Sequence, residues 1–196
     1  GEIEEIPPHL WDVLRVEPVR PYNVLAITFT NKAAAELKTR LNGKLGGMGD
    51  EVWASTFHSS CVKFLRRDID RLGYDKSFVI FDTADQQTLI KECLKELDID
   101  SKEFSPKSIA GAISQAKNEL ITPEDFKEIF RGDFFKSVVS RVYALYQKKL
   151  KKYNALDFDD LIMCTVKLFE ENPDVLEFYQ NKFRYILIDE YQDTNH

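Results

Sequence analysis

The stretch YNVLAITF, residues 22–29, is a short apolar run rich in β-branched residues, and it is bounded by Pro21 and by a polar segment. Such a run is typical of a buried strand. The sequence KAAAELKTRL, residues 32–41, consists of strong helix formers behind Asn31, a good N-cap. A helix should therefore begin there and end in the glycine-rich residues 43–49. A second strand at 51–56 and a second helix follow, and this alternation predicts an α/β fold.

Composition sets the limits on the class of protein. The 196 residues are 43% hydrophobic and 12% aromatic, which is enough for a real core and excludes a disordered chain. No window approaches the roughly 18 consecutive apolar residues that a membrane span needs, so we expect a cytosolic protein with no membrane partner. Cys61, Cys93 and Cys164 lie far apart and are expected to be reduced, structural thiols.

The charge is unevenly distributed. A net charge of −6 argues against a protein that simply coats nucleic acid. Between Phe134 and Leu156, however, the chain has six basic residues and no acidic one; the six are Lys136, Arg141, Lys148, Lys149, Lys151 and Lys152. A solvated helix face is the favoured interpretation of this run.

The chain is predicted to divide into three parts. After a strand at 78–81, the segments between Thr83 and Tyr153 all indicate helices. Their predicted caps are a Thr83–Gln86 capping box, Ser105 before Pro106, and Thr122 before Pro123. The α/β pattern then returns with helices beginning at Asp157 and Pro173 and a last strand at 184–188. The predicted parts are thus 1–82, an all-helical insertion at 83–154, and 155–196.

The last strand carries the main candidate for chemistry. RYILI, residues 184–188, is followed directly by Asp189 and Glu190. A buried parallel strand would deliver both carboxylates to the carboxyl edge of a sheet, where open α/β folds bind ligands. This is a Walker B arrangement, in which the Asp holds Mg²⁺ and the Glu polarises the attacking water. Alone, the pattern is weak, because any strand that meets a polar turn produces it.

Four stretches together resemble the UvrD/Rep/PcrA family of superfamily 1 DNA helicases. DEYQDTN, residues 189–195, resembles motif II of that family, and AITFTNKAAAEL, residues 26–37, resembles its motif Ia. STFHSSC, residues 55–61, is similar to the next DNA-contacting motif. LDFDDL, residues 156–161, is similar to the segment that re-enters the first motor domain. They occur in the family's order across residues 20–196.

The resemblance implies both a fold and an activity. The fold would be an incomplete RecA-like P-loop NTPase parallel sheet with an inserted all-helical subdomain. The activity would be that of a 3'-to-5' translocase that couples ATP hydrolysis with Mg²⁺ to movement on single-stranded DNA and unwinds duplex DNA. By resemblance, Asp189 binds the metal, Asp189 and Glu190 form the ATP site, and Glu190 and Gln192 are catalytic.

The resemblance also implies DNA contacts, at Thr28, Phe29, Thr30, Asn31, Thr56, Phe57, His58 and Lys117. Threonine hydroxyls and free backbone N–H groups at a strand-to-helix junction suit a phosphate. A Phe29 ring that stacks on a base would contribute about 1–3 kcal/mol without reading sequence. The alternatives are that Phe29 packs in the core, that His58 braces two loops, and that Lys117 lies on a solvated face of the insertion.

One motif of the family is missing. No window fits Gly-x-x-x-x-Gly-Lys-Ser/Thr, the phosphate-binding loop. We therefore expect a fragment of a helicase, with the remaining domains of the parent as partners and no ATP hydrolysis or unwinding of its own. Two alternatives stay open: part of a helicase-nuclease of the AddA/RecB type, and a non-catalytic DNA-binding or partner-docking module.

Overall fold

The structure is a computed structural model that describes residues 19–188, and these residues form two compact units. The first unit consists of residues 19–57 and 177–188, and the second of residues 58–176. The strands are β1 (Val24–Thr28), β2 (Trp53–Thr56), β3 (Val79–Phe81), β4 (Ala155–Asp157) and β5 (Tyr185–Ile188). The helices are α1 (Asn31–Leu45), α2 (Phe57–Asp68), α3 (Thr83–Glu96), α4 (Pro106–Asn118), α5 (Pro123–Ile129), α6 (Phe134–Lys152), α7 (Phe158–Glu171) and α8 (Pro173–Lys182). The α/β class is confirmed, and the three predicted sequence ranges stay a prediction.

The first unit is built on a parallel sheet with the strand order β2-β1-β5. The central strand, β1, buries Leu25, Ala26 and Ile27. Helix α1 begins one residue before the predicted start because its N-cap is Thr30, whose Oγ1 accepts the Ala33 N–H at 3.1 Å. It also continues through the first predicted breaker, Gly43, and ends at Leu45.

The final strand differs from the prediction in its burial. β5 pairs with β1 in parallel, as the sequence predicts, but its four side chains are between 56% and 60% exposed. The apolar run suggested a strand covered on both faces. In the described chain β5 is instead the outer strand of the sheet, so the expectation of burial is wrong for residues 185–188.

The second unit has a large core that α3, α4, α5, α6 and β4 share. Its most deeply buried members include Ile90, Ile109, Val142, Tyr146 and Ala155. Strand β4 pairs in parallel with β3, in the register Val79 to Ala155. The helices of the predicted insertion and the strand that follows it are thus stabilised together.

Helix caps in the second unit mostly follow the sequence. Ser105 and Thr122 are N-caps as predicted, each accepting a backbone N–H at 3.1 Å. The capping box of α3 is formed by Asp82 with Asp85 rather than by the predicted Thr83 and Gln86, because a carboxylate one residue earlier takes the cap.

Two expectations about the whole chain can be compared with the described residues. Cys61, Cys93 and Cys164 are free thiols and all three are buried. Within residues 19–188, no helix is both long and apolar enough to cross a membrane.

Candidate nucleic-acid interface

Three parallel strands of the first unit end at one edge of the sheet. Thr28 of β1 lies opposite Thr56 of β2, and Ile27 of β1 lies opposite Ile188 of β5. Because parallel strands share their direction, the segments that follow β1 and β2 leave from the same edge. This is the edge at which open α/β sheets bind ligands.

Each of the two strands that carry a threonine is followed by an exposed phenylalanine. Phe29, directly after β1, is 63% exposed, and Phe57, directly after β2, is 42% exposed. An exposed ring leaves its face free for contact with another planar group. The alternative that Phe29 packs in the core is therefore excluded by the structure.

Thr28 and Thr30 shape the segment that carries Phe29. Thr28 is only 1% exposed, and its hydroxyl donates a hydrogen bond to the Thr30 carbonyl oxygen at 3.2 Å. Thr28 thus holds the loop rather than presenting its hydroxyl to solvent, which differs from the predicted phosphate contact. Thr30 and Asn31 are exposed at the start of α1, where the first backbone N–H groups of a helix have no intrahelical acceptor.

Thr56 and His58 have different environments. Thr56 is half-buried at the end of β2, in the first unit. His58 is exposed in the first turn of α2 and belongs to the second unit. There its ring meets the ring of Phe158 edge-on, with the centroids 6.4 Å apart.

The burial of Lys117 contradicts the predicted DNA contact of this residue. Its side chain is completely buried, and its Nζ lies 2.7 Å from Asp157 Oδ2 and 2.8 Å from Asp160 Oδ1. Tyr146 donates its hydroxyl to the same Asp157 oxygen at 2.8 Å. An ammonium enclosed by two carboxylates and a tyrosine has no surface with which to meet a phosphate. Both the nucleic-acid interpretation and the solvated-face alternative are therefore wrong for this residue.

Electrostatics explain how three charges share this buried cluster. Burial raises the pKa of the Asp160 carboxyl to about 6, against the attraction of Lys117. Burial also acts to raise the pKa of Asp157, but attraction to Lys117 and three hydrogen bonds outweigh it and lower that pKa. The hydrogen bonds come from Lys117, the Asp160 N–H and Tyr146. For Lys117, the two carboxylates outweigh burial and raise the pKa of the ammonium. The cluster therefore keeps its lysine charged.

The same cluster fixes the beginning of α7. Asp157 Oδ1 accepts the Asp160 N–H at 2.9 Å, and Asp160 Oδ2 accepts the Asp157 N–H at 3.1 Å, a reciprocal capping box. Lys117, near the end of α4, ties that helix to this cap. The sequence contains a signal of this burial: Lys117 follows Ile113 by four residues and Ile109 by eight, which places it on the apolar stripe of α4.

The predicted nucleotide site, Asp189, Glu190 and Gln192, lies outside the described residues. Among residues 19–188, no group of three or more His, Cys, Asp or Glu side chains is arranged to hold a metal ion. The two aspartates of the buried cluster already share the Lys117 ammonium. The described site is therefore the sheet edge with its two phenylalanines.

Comparison with known proteins points to a single family. A protein-family model described as the UvrD/REP helicase N-terminal domain matches residues 9–196. The chain is 60% identical over 177 residues to the ATP-dependent DNA helicase PcrA of Bacillus subtilis, covering 90% of this chain and 24% of that protein. It is 54% identical over 183 residues to the ATP-dependent DNA helicase PcrA of Staphylococcus aureus, covering 93% of this chain and 25% of that protein. The chain thus spans about a quarter of the length of these curated relatives.

Proposed function

The chain belongs to the UvrD/REP helicase family, and on this premise we propose that it is part of an ATP-dependent DNA helicase whose sheet edge binds single-stranded DNA. The observation that carries the proposal is the register of Thr28 with Thr56, which brings the exposed Phe29 and Phe57 to one edge of a parallel sheet. Two exposed rings at adjacent strand ends form a surface on which unpaired bases can stack.

The backbone of the strand would be held beside the stacked bases. The start of α1 offers the N–H groups of Asn31 and Lys32, and the helix dipole favours an anion there. The exposed ammonium of Lys32 adds a positive charge close to the same position. Stacking and phosphate contacts read no sequence, which suits an enzyme that must accept any DNA.

The remaining chemistry belongs to residues that follow β5. We propose that Asp189 binds Mg²⁺, that Glu190 acts as the catalytic base, and that Gln192 relays the nucleotide state. Carboxylate oxygens suit this hard cation, which would neutralise charge on the ATP phosphates. Because β5 is hydrogen-bonded directly to β1, a displacement at the end of β5 would act on the strand that immediately precedes Phe29. We propose that the whole protein moves 3'-to-5' and unwinds duplex DNA by this coupling.

DNA binding is tested by fluorescence anisotropy with a labelled oligothymidylate of about 16 nucleotides, titrated at several salt concentrations. We expect the chain to bind, and we expect the affinity to fall steeply with salt because phosphate contacts release counterions. Phe29→Ala should weaken binding by roughly fivefold to 150-fold, the equivalent of about 1–3 kcal/mol for one stacked base. The matched control is Phe134→Ala, which removes a ring that is 73% exposed in the second unit. Equal losses in both variants would contradict the proposal.

ATP turnover is tested separately. Since no window of the sequence matches the phosphate-binding loop, we propose that this polypeptide alone does not hydrolyse ATP. A phosphate-release assay with single-stranded DNA should give no signal above background. Turnover that Glu190→Gln abolishes would show that the chain has a working nucleotide site without that loop.

A further inference from the structure

A groove between α5 and α6 in the second unit has no role in the proposed function. We call it the α5–α6 groove. Its volume is about 480 Å³, within the range of about 300–1,000 Å³ that is typical of ligand pockets. The two helices are joined by a tight turn at residues 130–133, in which Gly132 has a φ of +96°. Phe126 and Phe130 line it on one side, and Ser140 and Ala144 of α6 line it on the other.

The rim of the α5–α6 groove is positively charged although the chain as a whole is acidic. Four basic side chains line it, namely Lys127, Arg131, Lys136 and Arg141, with Glu124 as the one acidic lining residue. Arg131 is paired with Glu128 at 2.7 Å. The other three form no ion pair with a carboxylate of residues 19–188. Three positive charges without an ion pair thus surround one cavity, against the single carboxylate of Glu124.

The aromatic side of the groove is held in place by one of these cations. Lys136 Nζ lies 4.5 Å from the centroid of the Phe130 ring and 5.6 Å from that of Phe126. The two rings are themselves in contact, with their centroids 4.6 Å apart. Cation–π contacts of this kind favour one arrangement of the rings, so the groove is formed before any partner arrives.

We infer that the α5–α6 groove docks an acidic segment of a partner protein, which inserts one large apolar side chain between α5 and α6. An interface hot spot is typically a large side chain buried in a pocket and surrounded by contacts that exclude water. Carboxylates on both sides of that anchor would meet Lys127, Lys136 and Arg141. Lys136 and Arg141 belong to the basic run between Phe134 and Leu156. They would thus bind a partner rather than serve only as a solvated helix face.

A nucleic-acid backbone fits this groove less well. Phosphates are recognised by cations and N–H groups on a surface that leaves them hydrated, whereas the half-buried ring of Phe130 would face the backbone with apolar area. Removing an apolar side chain from water in this groove lowers the free energy of the complex. The observations therefore favour a protein segment, and duplex DNA becomes an outcome that the experiment can detect.

The test uses the full chain and a fluorescein-labelled peptide in which a central tryptophan is flanked by three glutamates on each side. Anisotropy should show saturable binding that weakens with salt. Replacing the tryptophan by alanine, or the glutamates by glutamines, should weaken it roughly tenfold or more. Arg141→Glu should weaken it roughly tenfold, and Phe130→Ala about thirtyfold. The control is Lys107→Glu, an exposed charge reversal on α4 outside the groove, which should bind like the parent chain.

Several results would overturn the inference. The first is that the peptide shows no saturable binding. The second is that the peptide binds the parent chain and Arg141→Glu equally well, or loses the same affinity for Arg141→Glu as for Lys107→Glu. The third is that Arg141→Glu weakens the binding of a labelled DNA duplex but not that of the peptide. Arg141 is exposed, so its variant should stay folded and decide the question even if Phe130→Ala destabilises the helices. Circular dichroism of each variant provides the check on folding.

Discussion

Replacing Lys117 by methionine should destabilise the second unit strongly. Methionine keeps most of the length of the side chain but removes the ammonium that lies 2.7 Å from Asp157 and 2.8 Å from Asp160. Both carboxylates are at most 3% exposed, so neither can be hydrated in place of the lost partner. The reason for the instability would be uncompensated buried charge rather than a cavity.

The expected magnitude follows from the burial. Breaking a buried ion pair by removing one partner costs about 3–5 kcal/mol. Total stabilities are about 5–15 kcal/mol, so Lys117→Met should lose a large part of the free energy of unfolding. Substituting asparagine for both Asp157 and Asp160 in the Lys117→Met background should recover part of the loss, because the cluster is then neutral.

The pH dependence has a definite sign. The pKa of Asp160 in the folded chain is about 6, above its ordinary value of 3.8. Between these two pH values, Asp160 binds a proton more readily in the folded chain than in the unfolded chain. Its contribution to stability is therefore fully present at low pH and is lost as the pH rises towards and through 6. In Lys117→Met the pKa of Asp160 should rise further, because the attraction of the ammonium is lost. The variant should therefore lose less stability, relative to the parent chain, at pH 5.5 than at pH 8.

The assay is urea unfolding followed by far-ultraviolet circular dichroism at both pH values. Lys107→Met is the matched control, because it removes an exposed lysine from the same helix. The control should unfold at the same urea concentration as the parent chain. If Lys117→Met lost less than about 1 kcal/mol at pH 8, the reasoning about uncompensated buried charge would be refuted.

Three further predictions concern single features of the fold. Thr122→Ala removes the side-chain oxygen that accepts the Asp125 N–H, so it should lower the free energy of unfolding by about 1 kcal/mol in the same urea assay. An unchanged urea midpoint would show that this cap contributes nothing to stability. Burial raises the pKa of the Cys93 thiol to about 11 and that of the Cys164 thiol to about 12. Labelling of these thiols by Ellman's reagent at pH 8 should therefore be slow until urea unfolds the chain. Rapid labelling of the native protein would contradict their burial. Gly132→Ala should lower the melting temperature, because φ is +96° there, with a penalty of about 1–2 kcal/mol. The exposed mid-helix Gly111→Ala should raise it by relieving a cost of about 0.5–1 kcal/mol, and shifts of equal sign would contradict this assignment.

Local signals allowed much of the fold to be predicted. The caps Ser105 and Thr122 act within three residues of the helix start, so the sequence alone is sufficient to place them. The parallel strands were likewise predictable from short apolar runs. The errors at Asn31 and Thr83 are shifts of one residue, in each case to a neighbour whose oxygen takes the cap.

The candidate site was predicted less completely, because burial depends on distant residues. Lys117 looks like a surface lysine until Asp157, forty residues further along, is seen to enclose it. Thr28 was expected to face a phosphate, but a hydrogen bond to the Thr30 carbonyl and the packing of the sheet bury it. The apolar run of β5 predicted the strand and its pairing but not the exposure of its side chains, since exposure is decided by what lies beside the strand.

Photocrosslinking tests the central claim most directly, which is that the sheet edge of the first unit grips an unpaired strand. An oligonucleotide carrying 5-iododeoxyuridine would be irradiated with the chain, and the adducts would be mapped by mass spectrometry. We predict adducts on Phe29 or Phe57 that are lost when that ring is replaced by alanine and when excess unlabelled single strand competes. Adducts confined to residues 83–154, or a pattern that Phe29→Ala and Phe57→Ala leave unchanged, would contradict the account.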